Sequence, residues 1–229
     1  IANARHAQRR CRLDWLGHID VDEYLHAPRP IADVLAAVAV EVPNLLMEPF
    51  EAMHDPALPD DIFTAREFRG PLHNEHSALQ PAAFGEMAPM LAKGGLSHTL
   101  GKSFCRPRGK GVKLWLHEIT LDGRKLATPF HPTLRLLHFH AQDPDAWRSA
   151  LPFRLTGGAY GFEAERALRA FLTGADEATL RDFYTATMTL TPEKSALLRA
   201  HDRLVTADLG LRSKVDELLA GRFGRVRAG

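Results

Sequence analysis

Cysteine is scarce in this chain: its 229 residues include only Cys11 and Cys105. Two cysteines are too few for a disulfide framework, and no Cys-x-x-Cys pair is present, so neither a disulfide-rich secreted domain nor a cysteine zinc cluster is indicated. Long apolar runs are also lacking. Because no stretch of 18 apolar residues occurs, the sequence predicts no transmembrane helix. This composition suits a reducing compartment, and we expect a cytoplasmic location.

An excess of charge of either sign is also absent. The chain has 29 Lys and Arg against 28 Asp and Glu, a formal net charge of +1. Such a balance gives no electrostatic reason to expect nucleic acid or an anionic membrane as a partner. The 45% hydrophobic and 25% charged residues are ordinary for a soluble protein with a sizeable core.

The hydrophobic pattern changes along the chain and predicts an α/β protein. Short apolar or alternating segments before about residue 160 predict strands, with a hairpin turn at Asp122-Gly123. After that point the apolar residues recur at helical spacing, and Thr191-Pro192 is typical of a helix start. The predicted strands are 15–19, 44–50, 62–68, 102–105, 113–116 and 134–140. The predicted helices are 2–11, a short helix that begins near Pro30 within 28–40, 164–171, 177–188, 192–205 and 214–219.

The most informative segment follows the first predicted strand. The apolar run Trp15 to Ile19 leads into Asp20, Asp22 and Glu23. In an extended segment residues i and i+2 face the same side, so Asp20 and Asp22 can both face a ligand while Val21 packs behind them. Carboxylate oxygens are the ligands that Mg²⁺ and Mn²⁺ prefer, which predicts a divalent cation site. Either both carboxylates bind the ion, or one does so through water or contacts a sugar ring; a solvated turn after a strand is the alternative.

A histidine pair stands on a later predicted strand. His138 and His140 alternate, so their rings face the same side of the sheet. His-x-His is a plausible metal pair, although two partly exposed sheet histidines would look the same in the sequence. Gly101-Lys102-Ser103 resembles the end of a phosphate-binding loop, but the required glycine is replaced by Leu96. Lys102 or Arg106 can still contact a phosphate as a charged donor.

Three segments in order resemble bacterial family 2-like glycosyltransferases, which are similar in pattern to family 92 enzymes. The first is Asp14-Trp15 followed by His18 to Leu25, similar to that family's Asp-x-Asp-Glu signature. The second is Gly101 to Pro107, and the third is Leu136 to Phe139 followed by Trp147. Phe139 and Arg154 depart from the Tyr and Lys that are usual there. The resemblance covers the chain to about Tyr160.

This resemblance implies a GT-A-type, Rossmann-like mixed sheet over residues 1–160 with a helical C-terminal extension over 161–229. It implies transfer of a sugar from a nucleotide-diphosphate donor to a hydroxyl of a glycan, lipid or protein acceptor, with inversion. Mn²⁺ or Mg²⁺ would be held by Asp20, Asp22 and His138, while Asp20 and Lys102 would contact the donor. A carboxylate base is required, and Glu67 and Glu75 are candidates between which the sequence does not choose.

Two other functional interpretations also fit the sequence. A metal-dependent phosphatase or nucleotidyltransferase would share the Asp-x-Asp chemistry. In the resembled family several βα units that hold the nucleotide base come before the signature, whereas here only Ala2 to Arg12 precede the signature strand. We therefore expect an N-terminally truncated enzyme that is inactive alone, or a non-catalytic remnant that acts in assembly.

Overall fold

The computed structural model describes residues 2–59, 63–161 and 165–226. The described helices are α1 (Ala2–Arg10), α2 (Ile31–Ala36), α3 (Leu79–Phe84), α4 (Pro144–Thr156), α5 (Arg166–Gly174), α6 (Glu177–Met188), α7 (Pro192–Ala200) and α8 (Leu211–Val226). The strands are β1 (Leu16–Gly17), β2 (Glu23–His26), β3 (Asn44–Ala52), β4 (Glu67–Arg69), β5 (Lys102–Cys105), β6 (Val112–Leu114), β7 (Ile119–Leu121), β8 (Arg124–Lys125), β9 (Phe130–His138) and β10 (Leu204–Thr206).

A mixed, mostly antiparallel sheet organises the molecule. Its strand order is β1-β5-β3-β4-β10, and β9 pairs with both β3 and β2. Only the β3–β9 pairing is parallel among these described strands. The predicted α/β class with a mixed sheet is confirmed at this level, but the pairing does not establish a Rossmann-like GT-A arrangement. β6, β7 and β8 form a separate three-stranded sheet.

The first predicted strand is longer than the strand that the structure shows. The predicted strand from Trp15 to Ile19 is reduced to β1, which pairs with β5 at the edge of the sheet. Asp20 to Glu23 form a turn, closed by a 3.2 Å hydrogen bond from the Glu23 N–H to the Asp20 carbonyl. Val21 is 100% exposed, so it does not pack behind the carboxylates. The alternation of an extended strand does not apply to these residues because the chain reverses here.

Several other predicted elements are confirmed. β5 and α6 have the predicted bounds, and α2 begins directly after Pro30. The hairpin turn joins β7 to β8 with positive φ at Asp122 (50°) and Gly123 (81°), as such tight turns require. The Thr191 hydroxyl caps α7 by accepting a hydrogen bond from the Lys194 N–H at 3.2 Å. The strand predicted over 62–68, by contrast, is wrong in its extent: the observed strand is β4, which begins only at Glu67, and Ile62 lies outside the described residues.

The C-terminal helices share a core with the rest of the chain. One hydrophobic cluster joins Leu72, Phe84 and Trp147 to Phe183 and Leu198. In addition, β10 adds a strand to the main sheet beside β4. The predicted unit 161–229 is therefore joined to the predicted unit 1–160 by packing and by strand pairing. No helix in the described ranges has the length and apolar character needed to cross a membrane.

A buried ion pair links the sheet to these helices. The Arg69 guanidinium donates to Glu51 Oε2 at 2.6 Å and to the Thr187 carbonyl at 2.6 Å, and both side chains are at most 3% exposed. Glu51 also accepts from the Leu96 N–H at 3.1 Å. Because water cannot replace these contacts, each charge depends on its partner.

We expect Glu51→Ala to lower the free energy of unfolding by about 3–5 kcal/mol, since it leaves the Arg69 charge buried and unpaired. The exposed pair Arg148–Glu177 offers a matched control. Glu177→Ala should cost no more than about 1 kcal/mol. Urea unfolding followed by tryptophan fluorescence measures both values, and equal losses would show that the Glu51–Arg69 pair has no special role.

The two cysteines should differ in reactivity. Cys105 is fully buried on β5, and burial raises its thiol pKa to about 11; Cys11 is half-buried after α1. Because the thiolate is the nucleophile, iodoacetamide at about pH 8 should label Cys11 and leave Cys105 unmodified until urea is added. Peptide mass spectrometry checks this, and equal labelling of both in the native protein would contradict the burial of β5.

Candidate metal centre

Strand pairing brings Glu23 beside His138. β2 begins at Glu23 and runs antiparallel to β9, with Glu23 directly opposite His138. Residues that face each other in such a pair have Cβ atoms about 4.5–5.5 Å apart on one face of the sheet. The Glu23 side chain is fully buried and is fixed by the Asp20 N–H, which donates to Glu23 Oε2 at 2.6 Å.

His98 completes a cluster of three potential metal ligands. Its Nε2 lies 3.1 Å from Glu23 Oε1, and its ring centre lies 5.1 Å from that of His138. One ligand atom from each of Glu23, His98 and His138 lies within 4.8 Å of the others. The Nδ1 atoms of both histidines are buried without a hydrogen-bond partner. A donor set of one carboxylate and two imidazoles, with unsatisfied ring nitrogen atoms, fits a bound cation.

Asp22 lies at the edge of this cluster. Its Oδ2 is 3.4 Å from His138 Nε2, and its side chain is 44% exposed. The hydrogen bond with His138 lowers the pKa of Asp22, against the effect of partial burial. Asp22 and His138 were both predicted as ligands of one cation, and the structure does bring their side chains together.

Asp20 faces Lys102 instead. Lys102 Nζ donates to Asp20 Oδ2 at 2.8 Å and lies 3.9 Å from Glu23 Oε2, and the lysine side chain is fully buried. Burial opposes ionisation of Asp20, but the hydrogen bond and charge of Lys102 lower its pKa overall. The structure thus joins the two residues that the sequence predicts as donor contacts. Because the Lys102 side chain is fully buried, a phosphate could reach its ammonium only if the surrounding residues moved.

The residues that cluster in the structure therefore differ from the predicted metal ligands. Among the described residues, Asp20, Asp22 and His138 do not form a compact group of three donors, whereas Glu23, His98 and His138 do. The prediction assumed an extended segment with Asp20 and Asp22 on one side. In the turn, Asp20 points to Lys102 and Asp22 to His138. His138 remains a predicted ligand, and the two aspartates flank the cluster.

A second layer of groups surrounds the cluster. The His117 ring lies 4.6 Å from that of His98, and its Nδ1 is 2.9 Å from the Gly101 carbonyl. On the other side, His140 Nε2 is 3.2 Å from the Tyr160 hydroxyl. Burial, and then the charge of Arg154, hold the pKa of His140 well below its usual value. Burial raises the pKa of Tyr160 to about 12. This neutral His140–Tyr160 pair holds the end of β9 in place.

The two candidate bases belong to other surroundings. Glu67 accepts hydrogen bonds from Arg199 at 2.7 Å and from the Thr206 hydroxyl at 2.9 Å. Glu75 has a 66% exposed side chain, and its nearest ion-pair contact is His76 at 3.7 Å. Arg106 donates to three backbone carbonyls after α2 and packs over the Trp15 ring. None of these contacts belongs to the Glu23–His98–His138 cluster.

Glu23 and His98 are the residues that sequence reasoning missed. Glu23 belongs to the Asp-x-Asp-Glu signature, but the prediction gave the role of metal ligand to Asp20 and Asp22. His98 lies in an irregular segment, Ser97-His98-Thr99, with no spacing that points to a ligand. Its approach to β2 depends on the path of the chain between Leu91 and β5, which a single sequence does not reveal.

The donor set bears on the identity of the metal. Mg²⁺ prefers oxygen ligands and keeps several waters, whereas imidazole suits zinc, iron and other transition metals. Two histidines and a glutamate therefore favour Mn²⁺ over Mg²⁺ among the predicted ions, with Zn²⁺ as a competitor.

We expect the chain to bind Mn²⁺ more tightly than Mg²⁺, and Glu23→Gln or His98→Ala to weaken Mn²⁺ binding by more than about 100-fold. Asp22→Asn should weaken it by about 10–100-fold, as for a residue that orients a ligand. Isothermal titration calorimetry measures these affinities. His6→Ala, at an exposed position on α1, is the matched control and should bind as the wild type. Unchanged affinity in Glu23→Gln would remove this cluster as the metal centre.

Comparison of the chain with protein-family models, with curated proteins and with solved structures finds no match. The interpretation of this site therefore depends on the chemistry of its own residues.

Proposed function

We propose that this chain carries the metal site of a glycosyltransferase that moves a sugar from a nucleotide-diphosphate donor to an acceptor hydroxyl. The observation that carries the proposal is the convergence of the Asp20–Glu23 turn with His98 and His138. It places the signature carboxylates, two imidazoles and one buried lysine within a few ångströms. A GT-A-type fold, inversion and a cytoplasmic location belong to the same proposal.

The charges of the turn suit a diphosphate held through a cation. Three carboxylates stand against a single ammonium, that of Lys102, so the site has excess negative charge that favours a divalent ion. Glu23, His98 and His138 would hold the ion, and bound there it would offset charge on a departing diphosphate. Asp22, which is half-exposed beside His138, would orient that imidazole and face the incoming donor.

Lys102 has a positioning role in this proposal. Its ammonium is buried between the Asp20 and Glu23 carboxylates and attracts both, which offsets the repulsion between these two like charges. The Asp20 N–H fixes Glu23 from the other side. Together these contacts hold the Glu23 carboxylate toward His98 before any ligand binds, and such preorganisation avoids an ordering cost on binding.

A second candidate function has one specific observation in its favour. A ligand set of two histidines and one glutamate also occurs in catalytic zinc sites that activate water for hydrolysis. A metal-dependent phosphoester hydrolase would use the same cluster but would need no sugar donor. The two functions differ in product: a transferase releases a nucleoside diphosphate from a nucleotide sugar, whereas a phosphoesterase releases phosphate or a sugar phosphate.

Pyrophosphate is the simplest probe of the proposed donor contact. We expect the chain to bind pyrophosphate with Mn²⁺ present and about 100-fold more weakly without it, since a bound ion would supply positive charge that attracts the anion. Asp22→Asn and Glu23→Gln should lose the Mn²⁺-dependent binding in calorimetry, and His6→Ala should retain it. Because the chain alone is expected to be inactive, incubation with UDP- and GDP-sugars followed by chromatography should show no released nucleoside diphosphate. Pyrophosphate binding that is independent of Mn²⁺ would contradict the proposal, and rapid hydrolysis of p-nitrophenyl phosphate would favour the hydrolase.

A further inference from the structure

A cavity of about 330 Å³ lies beside the metal centre. Its size is at the lower end of the range of small-molecule sites. It is lined by strands and loops from separate parts of the chain, including β3, β5 and the start of β9. The residues that line it include Asn44, His73, Ser103, His117, Thr128 and Phe130.

His117 borders both the cavity and the metal centre. Its ring lines the cavity and contacts the ring of His98, one of the three proposed ligands. Thr99 and Leu100, which directly follow His98, also line the cavity. A molecule in this cavity would therefore be one side chain away from the proposed metal centre.

The wall combines an aromatic surface with short polar groups. The His73 and Phe130 rings are stacked, with centres 5.2 Å apart and planes inclined by 28°. Asn44 and Thr128 hydrogen bond to each other through their side chains, at 2.9 and 3.1 Å. Aromatic rings that accept apolar C–H surface, together with amides and hydroxyls, form a lining suited to a ring that carries hydroxyl groups.

Ser103 provides an independent sign of a ligand. It is 2% exposed, it lines the cavity, and its Oγ has no hydrogen-bond partner. A buried hydroxyl without a partner costs free energy, so such groups normally have a protein, water or ligand partner. Two lysines line the cavity. Lys125 is paired with Glu118 at 2.6 Å and Lys93 is exposed to solvent, so the cavity does not present a buried cluster of cations to an anion.

We propose that this cavity binds the acceptor, and that the acceptor presents a neutral pyranose ring with free hydroxyl groups. The ring would stack on the Phe130–His73 wall, and one hydroxyl would pair with Ser103 Oγ. The assignment of this sugar as an acceptor rests on the proposed transferase function. The binding of a pyranose in the cavity does not, because it needs neither metal nor donor.

The test is ligand-detected NMR with methyl glucoside, methyl galactoside, methyl mannoside and methyl N-acetylglucosaminide, without metal or nucleotide sugar. We expect saturation transfer to at least one of these glycosides. Phe130→Ala should weaken the affinity about tenfold and Ser103→Ala about fivefold, the sizes expected for an aromatic contact and one hydrogen bond. Phe130→Leu keeps the apolar volume and should weaken it less. Phe153→Ala is the matched control, since Phe153 is 70% exposed on α4 and should bind as the wild type.

The outcomes separate this inference from the proposed function. Glycoside binding that Phe130→Ala and Ser103→Ala weaken, but Glu23→Gln leaves unchanged, supports the cavity assignment even if Mn²⁺ and pyrophosphate fail to bind. Absence of binding by all four glycosides overturns it, as does binding that none of the cavity variants affects. Displacement of the glycosides by millimolar inorganic phosphate would also overturn it, because the cavity would then be an anion site.

Discussion

The antiparallel pairing of β2 with β9 is the constraint on which the candidate site depends. It places Glu23 opposite His138 and thereby brings together residues that are more than a hundred positions apart in the chain. β9 is in turn fixed by parallel pairing with the central strand β3. A slip of one residue in either register would turn one of these side chains to the opposite face of the sheet. The proposed metal centre is thus a consequence of strand register.

Buried cations are the second organising feature, and three of them pair with carboxylates of other elements. Lys102 faces Asp20 and Glu23, Arg69 faces Glu51, and Arg203 faces Glu48 at 2.7 Å. Burial of an unpaired charge is costly, so such pairs strongly penalise arrangements that separate them. The pairs of Arg69 and Arg203 fasten β4 and the residues before β10 to β3. The pair of Lys102 acts differently, since it orients the carboxylate turn beside the histidines.

Site and scaffold are connected through the segment between Leu91 and β5. The Leu96 N–H donates to Glu51, which anchors this segment to the buried ion pair, and His98 follows two residues later. Gly101, at a positive φ of 73°, then lets the chain enter β5, because a Cβ there would lie 2.1 Å from the Met47 carbonyl oxygen. The same short segment therefore supplies a potential metal ligand, lines the adjacent cavity and contacts the core.

Helices, caps and tight turns follow from the sequence alone where residues close together in the chain cause them. Helical periodicity and caps determined α6 and the start of α7, turn chemistry determined the β7–β8 hairpin, and the cluster of Asp20, Asp22 and Glu23 marked the site. The three-dimensional arrangement alone shows that these carboxylates lie in a turn, that the Lys102 ammonium pairs with Asp20, and that His98 joins Glu23 and His138. Those outcomes depend on strand register, burial and contacts between distant segments, and periodicity within a single sequence contains no information about them.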